Sequence, residues 1–551
     1  MQLLRFWLLF CLLVSSFNCF AGTPPLNIAA PDAVAPLESL PVQSDGRIKP
    51  ALSFAKEKLT AIYGRASFKL PDGTRIPALA VTLDLLARPE VWKKTEIVLV
   101  EEATLRAAVG LPAKRRYFSL EELAANEALQ SLVQQAKIRR AAGTKISGVE
   151  QVSLQVDARL HLLTELLEGQ LFRPVPNPHH PKKLWGTPAD AASLYPGQGA
   201  EVTAAWEQFR LLVPSGDSTS LRTSASKFAQ ACSVLKPEFL PSQSVVFTEV
   251  FYNKSHPFRL AWIALLLASI VLMTTSLQQG GSGYKLGWWL ACAGLGFVVV
   301  GMLARLYISG RPPVTNMYES VVWLAFGVMA FGLSYEWRYR CRWYLASACP
   351  LAALALILAD SQPAILDASI KPLVPVLRSN FWLTVHVLTI TLSYAAFALA
   401  TAVAHAVLGS LCFLGKEPAA ALHGYLYKVL QIGVLLLAIG IVLGGVWANY
   451  SWGRFWDWDP KETWSLVALL SYLFLLHGRL LGWWRGFGMA AGAILCFQTV
   501  LFAWYGVNFI LATGLHSYGF GAGGTTYIAI YLGAETAFLV AAWIMKSKVS
   551  R

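Results

Sequence analysis

Nine apolar segments of bilayer-spanning length follow residue 257, near 258–277, 286–306, 319–336, 343–359, 382–412, 429–447, 463–482, 487–511 and 525–545. A helix needs roughly 20 apolar residues to cross hydrocarbon, and only helices and closed barrels satisfy every backbone polar group there. With 55% hydrophobic and 14% charged residues, the chain is too apolar for a soluble globule. The sequence predicts an all-α polytopic membrane protein, with about nine transmembrane helices over residues 257–551.

The residues before these segments differ. Arg5, an apolar core to Val14 and the small residues around Cys19-Phe20-Ala21-Gly22 read as a signal segment, 1–22, with a retained anchor as the alternative. Either one exports the residues after it. Residues 23–256 are polar and lack any spanning run, which predicts an exported, largely helical soluble domain. One helix opens at Ser119, with Glu122 in capping-box spacing, and runs to about Ala142. Another covers about Glu150 to Gly169, with Leu154, Leu160, Leu163 and Leu167 near helical period. Arg173 to Lys183 sets four prolines around His179 and His180 and reads as a loop, because the paired histidines lack Cys or acid partners for a metal. Cys232 is the one cysteine of the polar region, so that region holds no internal disulfide, and the chain has no Cys-x-x-Cys for thiol redox work.

The net charge of +14 belongs to loops rather than to a nucleic-acid surface. If residues 23–256 are outside, the inside gaps and tail hold Lys285, Arg338, Arg340, Arg342, Lys416, Lys428, Arg479, Arg485, Lys546, Lys548 and Arg551. That is a positive-inside bias with a cytoplasmic C-terminus. The outside loops nevertheless keep Arg311, Lys371, Arg378, Arg454 and Lys461, which asks for a separate reason.

The same topology puts WGRFWDWDPKETW, Trp452 to Trp464, outside, within the loop region 448–464. Trp452, Trp456, Trp458 and Trp464 offer large π faces interleaved with Arg454, Asp457 and Lys461. An interfacial aromatic belt explains tryptophans alone, and Asp459-Pro460-Lys461-Glu462 also reads as a helix start with a capping box. Two histidines share that side: His386, in FWLTVHVLTITLSYA, and His516, in GLHSYGFGAGG. Each alone reads as an interfacial hydrogen-bonding residue. Together they offer a haem iron two axial imidazoles beside stacking surface and cations for propionates.

The tryptophan stretch resembles the "WWD" signature of haem-handling membrane proteins of cytochrome c assembly, in particular the CcsA/ResC type of the system II pathway. GRPPVTNMYES, Gly310 to Ser320, is similar to an outer-loop signature of that family, and LHSYG and WLTVHVLTITLSYA are similar to its two ligand-bearing segments. The resemblance covers roughly the C-terminal half, from about Arg305. It implies His386 and His516 as axial ligands of haem b, the bound substrate, and Trp452, Trp456, Trp458 and Asp459 as the platform. His477, toward the cytoplasmic end of the seventh segment, corresponds to a histidine that helps receive haem. His405 reads as a hydrogen-bonded interior histidine. Pro41 to Leu59, PVQSDGRIKPALSFAKEKL, resembles a segment beside the membrane core of fused relatives.

The resemblance further implies a bacterial inner-membrane protein with its N-terminal domain and tryptophan loop in the periplasm. Its role there would be cytochrome c biogenesis as the membrane subunit of a holocytochrome c synthase (haem lyase), presenting haem for thioether attachment to Cys-x-x-Cys-His of apocytochrome c. Implied partners are a ResB/CcsB-type membrane protein, apocytochrome c and thiol-reducing proteins acting on it. A haem exporter or chaperone without ligase activity, and a small-solute transporter, are the alternatives.

Overall fold

A computed structural model describes residues 28–144, 146–179, 183–235, 240–274, 281–363, 366–372, 380–414, 420–511 and 525–549. Among them are nine helices long and apolar enough to span a bilayer. Spans 1 to 4 are Gln243–Thr274, Ser282–Ser309, Met317–Tyr339 and Trp343–Ser361. Spans 5 to 9 are Thr384–Ser410, Leu422–Trp452, Pro460–Leu480, Phe487–Leu511 and Tyr527–Lys548. The protein is an all-α polytopic membrane protein with a helical N-terminal region.

Two spans depart from plain helices. Span 1 begins well before the apolar run, and its two helices meet at His256, which takes a left-handed φ of 45° before Pro257 starts the second. Span 8 runs as α-helix to Leu501 and then widens into a π-helix over Phe502–Leu511. Such wide turns are uncommon and concentrate at functional sites.

Lipid supplies little drive for helices to associate, so close packing at small residues does the work. A Cβ on Gly327 of span 3 would lie 2.6 Å from Ala395 of span 5, and one on Gly433 of span 6 would lie 2.5 Å from the Phe397 ring. Phe397 in turn stacks on Tyr472 of span 7 at 3.7 Å and 5°.

Contacts divide the chain into two compact units. Among the described residues, one comprises those from 28 to 40 with those of Phe54–Ser131 and Val156–Pro237. Its core includes the ring cluster Phe172, Trp206, Phe209 and Phe228, with centroids 5.0 to 6.5 Å apart along the chain of contacts. Asp84 is fully buried and accepts from Trp92 Nε1 at 2.6 Å and Arg88 Nη2 at 2.5 Å. Burial lifts its carboxyl above the usual range, and these donors pull it back. Ser119 caps a helix as expected, but that helix is only Leu120–Ala124. Asn126 Oδ1 then accepts from Leu129 N at 2.8 Å and opens a second helix, Glu127–Ala141, because an Asn side chain can recap the chain in one step. The second expected helix is Gly148–Leu167. The described residues of the proline run after Arg173 form no helix or named strand, Val175 makes an isolated bridge to Gly186, and His180 lies outside the described residues.

Cys232 is buried, and burial pushes its thiol up to about 12. A thiol reacts as thiolate, so Cys232 in the folded protein is expected to resist maleimide at pH 7.5 and to label once denatured. Fast labelling of the native protein, read by mass, would contradict its burial.

The other unit contains the spans together with Pro41–Ser53 and Leu132–Gln155. Strands β1 (Pro41–Ser44) and β2 (Arg47–Pro50) form an antiparallel hairpin with Pro41 opposite Pro50. Its turn residues Asp45 and Gly46 have φ of 49° and 79°, the left-handed pair that a two-residue turn requires.

Candidate functional site

The tryptophan loop is organised by one carboxylate. Span 6 ends at Trp452, the chain reverses through Gly453 at a φ of 75°, and Asp459 caps span 7 with Pro460 in its first turn. Glu462 Oε2 accepts from the backbone N–H of Asp457 at 2.8 Å and of Asp459 at 3.2 Å, while Oε1 accepts from Arg454 Nη1 at 3.2 Å. Arg454 also approaches Asp457 at 3.5 Å and lies over the Trp452 ring at 5.4 Å. Asp459 therefore has the helix-capping role that its sequence context allows, and both it and Glu462 are buried.

The rings do not form one flat plate. Trp452 sits edge-on to buried Trp447 at 4.7 Å, Trp456 and Trp458 are perpendicular at 5.8 Å, and Trp464 leans on Phe502 at 4.0 Å. Trp458 is 68% exposed and takes a left-handed φ of 56°, a costly conformation for a bulky residue that is held by the loop around it. Without Glu462 that hold is lost. Glu462→Ala is expected to cost about 1–3 kcal/mol, since it strands the buried Asp459 N–H and two half-buried donors, and to expose Arg454 to trypsin. Unchanged melting and unchanged protection of the Arg454 bond would contradict this.

His386, near the start of span 5, is fixed from two sides. Its Nδ1 lies 2.8 Å from the Gly440 carbonyl, which can only accept, so Nδ1 carries the proton and Nε2 the lone pair. Its ring runs parallel to Trp447 at 7°, with centroids 6.3 Å apart. Gly444 makes room for it, because a Cβ there would come within 2.7 Å of the imidazole Cε1. Phe455 similarly occupies the space beside Gly445. His386, Trp447, Trp452 and the tryptophan loop thus stand in one chain of contacts.

Span 8 reaches the same loop. Lys461 Nζ donates to Asn508 Oδ1 at 3.2 Å, and Asn508 lies in the π-helix and donates to the Trp504 carbonyl at 2.6 Å. The chain then continues toward His516, which lies outside the described residues.

The Gly310 to Ser320 segment is a structural clamp. Arg305 and Glu319, both nearly inaccessible, pair at 2.6 Å, and the second Glu319 oxygen accepts from Thr315 N and Oγ1, each at 2.8 Å. Four consecutive carbonyls are then held: Ala368 by Arg305 at 2.9 Å, Ser369 by Asn316 at 3.4 Å, Ile370 by Arg47 at 2.8 Å, and Lys371 by Arg311. Arg47 also makes a two-pronged pair with Glu249 at 2.8 and 2.6 Å. The basic residues Arg311, Lys371, Arg454 and Lys461 therefore all have structural partners, Lys371 through Asp367 at 2.7 Å. Burial pulls the Arg311 guanidinium below its ordinary value. Arg378 is outside the described residues.

Two further histidines of the spans, His405 and His477, differ in setting. His405 has both ring nitrogens engaged, Nδ1 with the Thr401 carbonyl at 2.8 Å and Nε2 with Glu535 of span 9 at 3.0 Å, which fits the interior role read from sequence. His477 is exposed on span 7, its Nδ1 bound to the Leu473 carbonyl at 2.7 Å. Among the described residues no group of three His, Cys, Asp or Glu could hold a metal ion. Sequence reasoning missed Glu462 as a loop hub, Trp447, Gly440, Gly444 and Arg47. The Asp45-Gly46 pair was the available signal for the hairpin that carries Arg47.

Residues 314–516 match the family described as Cytochrome C assembly protein. NrfI of Wolinella succinogenes is 30% identical over 506 residues, covering 86% of this chain and 53% of its own length. The chain thus spans about half of that relative, and the likeness extends well ahead of the membrane spans. Cytochrome c biogenesis protein CcsA of Prochlorococcus marinus is 32% identical over 296 residues, covering 47% of this chain and 93% of that protein. CcsA of Picosynechococcus is 34% identical over 281 residues, covering 39% and 82%. The clamp, the capped tryptophan loop and His386 all fall inside or just beside the matched region, and the chain belongs to the CcsA/ResC-type family of cytochrome c assembly proteins.

Proposed function

We propose that this chain carries haem b to the outer face of the bacterial inner membrane and presents it for thioether attachment to Cys-x-x-Cys-His of apocytochrome c. The observation that carries the reading is His386: an imidazole with its Nδ1 proton on a backbone carbonyl offers Nε2 to iron, and it stands beside Trp447 and the tryptophan loop. His516, in the loop that follows the π-helix, supplies the second axial ligand. Trp456 and Trp458 contact the macrocycle edge, while Trp452 and Asp459 keep the loop in shape.

This chain's residues bind and orient. Haem supplies the vinyl carbons, apocytochrome the thiols, and the incoming histidine displaces one axial ligand while the tryptophan loop limits water. His477, exposed on span 7, receives haem at a site that a ResB/CcsB-type partner completes. Thiol-reducing proteins keep the apocytochrome cysteines ready, in line with a chain whose own described cysteines are all free and lie in or beside spans, apart from buried Cys232.

The test is attachment in a host lacking its own assembly factors, with this chain, a ResB-type protein and an apocytochrome co-expressed. Covalent haem on the cytochrome, lost in His386→Ala, is expected. Haem on this chain with no covalent product would instead favour an exporter or chaperone that hands its cargo to a separate ligase.

A further inference from the structure

A second aromatic and basic site lies at the other end of the bundle. Asn508 donates to Met317 at the start of span 3 as well as pairing with Lys461, so the tryptophan loop and the start of span 3 share one end. Span 3 then runs 23 residues to Tyr339, roughly 35 Å at about 1.5 Å per residue, and antiparallel span 2 begins at that far end. There Tyr284, Lys285, Trp288 and Trp289 of span 2 face Glu336 and Trp337 of span 3, and Arg340 just after it, across a cavity of about 470 Å³.

The cavity is built, and an aromatic belt alone would not require this. Glu336 is fully buried, and its Oε1 accepts from Tyr284 OH at 2.9 Å and from the Arg342 N–H at 2.6 Å. That bond holds a turn in which Arg340 and Arg342 both take left-handed backbone, φ 46° and 67°, fixing where Arg340 leaves the helix. Lys285 and Arg340 are exposed, and neither forms an ion pair among the described residues. Glu336 is the one acid among the lining residues and its Oε1 is engaged by Tyr284 and the Arg342 N–H, while residues 275–285 and 337–342 contain no other acid, so Lys285 and Arg340 outnumber it. Trp289 and Trp337, each 69% exposed, turn their rings outward from the bundle.

We infer that this cavity binds the headgroup of an anionic phospholipid, its phosphate on Lys285 and Arg340 and its chains along Trp288, Trp289 and Trp337. Basic pockets between membrane helices recognise such headgroups, and each cation near the surface contributes about fivefold in affinity. No histidine lines the cavity among the described residues, which separates this site from the proposed haem site.

The experiment is native mass spectrometry of the full chain in neutral detergent, titrated with dioleoyl phosphatidylglycerol or dioleoyl phosphatidylcholine. Wild type is expected to retain phosphatidylglycerol preferentially, and K285Q/R340Q to lose about tenfold or more of that retention. K546Q/K548Q, the same charge loss elsewhere at that end, should behave as wild type. Equal retention by K285Q/R340Q, equal retention of phosphatidylcholine by wild type, or displacement of the lipid by millimolar inorganic phosphate would each overturn the assignment. The lipid preference of wild type keeps the test decisive should the double variant fold poorly.

Discussion

His386→Ala is expected to lower the haem retained on purification by more than about tenfold, and to leave the remainder easier to oxidise. The ring is held by the Gly440 carbonyl and framed by Trp447 and Gly444, so its removal takes away both a ligand and a wall. An iron with one imidazole and an opened face meets water and oxygen more readily. Potentiometric titration of the bound haem measures this. Gly444→Ala is the companion, since it keeps the imidazole but puts a methyl 2.7 Å from its Cε1, and it is expected to shift the haem spectrum in the same direction by a smaller amount. A fully reduced, unshifted spectrum in His386→Ala would defeat the assignment.

The second large effect concerns Arg305 and Glu319. Arg305 is 1% exposed and Glu319 3%, and one guanidinium links Glu319, Tyr252 and the Ala368 carbonyl. Removing one partner leaves a buried charge uncompensated, so Arg305→Met or Glu319→Ala alone is expected to cost about 3–5 kcal/mol. Replacing both should recover a good part of that loss, because no lone charge remains. Thermal unfolding of the four proteins in one detergent measures the cycle. Additive losses in the double variant would mean that the two residues act independently. Haem retention should fall with Arg305→Met too, since the clamped 366–372 segment precedes the helix that bears His386.

The spans were legible because hydrocarbon leaves the backbone so little choice; their number and order follow from the apolar runs. The capping box at Asp459 was equally legible, being a local pattern of four residues. What the residue string hid was tertiary. Glu462 looks like an ordinary third helical residue until the loop folds back onto its other oxygen. Trp447 looks like one more apolar residue of span 6, yet it lines His386. Arg311, Arg454 and Lys461 stand out in the sequence only as cations on the outer side, and it took the fold to show them bonded to the Lys371 carbonyl, Glu462 and Asn508. Arg47 sits more than 300 residues before the Ile370 carbonyl it holds, a distance that no local pattern encodes.

The reduced-minus-oxidised visible spectrum of the detergent-purified wild type, co-expressed with a ResB-type partner and supplied with haem, tests the central claim most directly. Sharp bis-histidine haem bands that fade in both His386→Ala and His516→Ala, with a lower haem yield in His477→Ala, are the predicted result. A wild-type protein that carries no haem under those conditions would contradict it and return the tryptophan loop to an interfacial anchor.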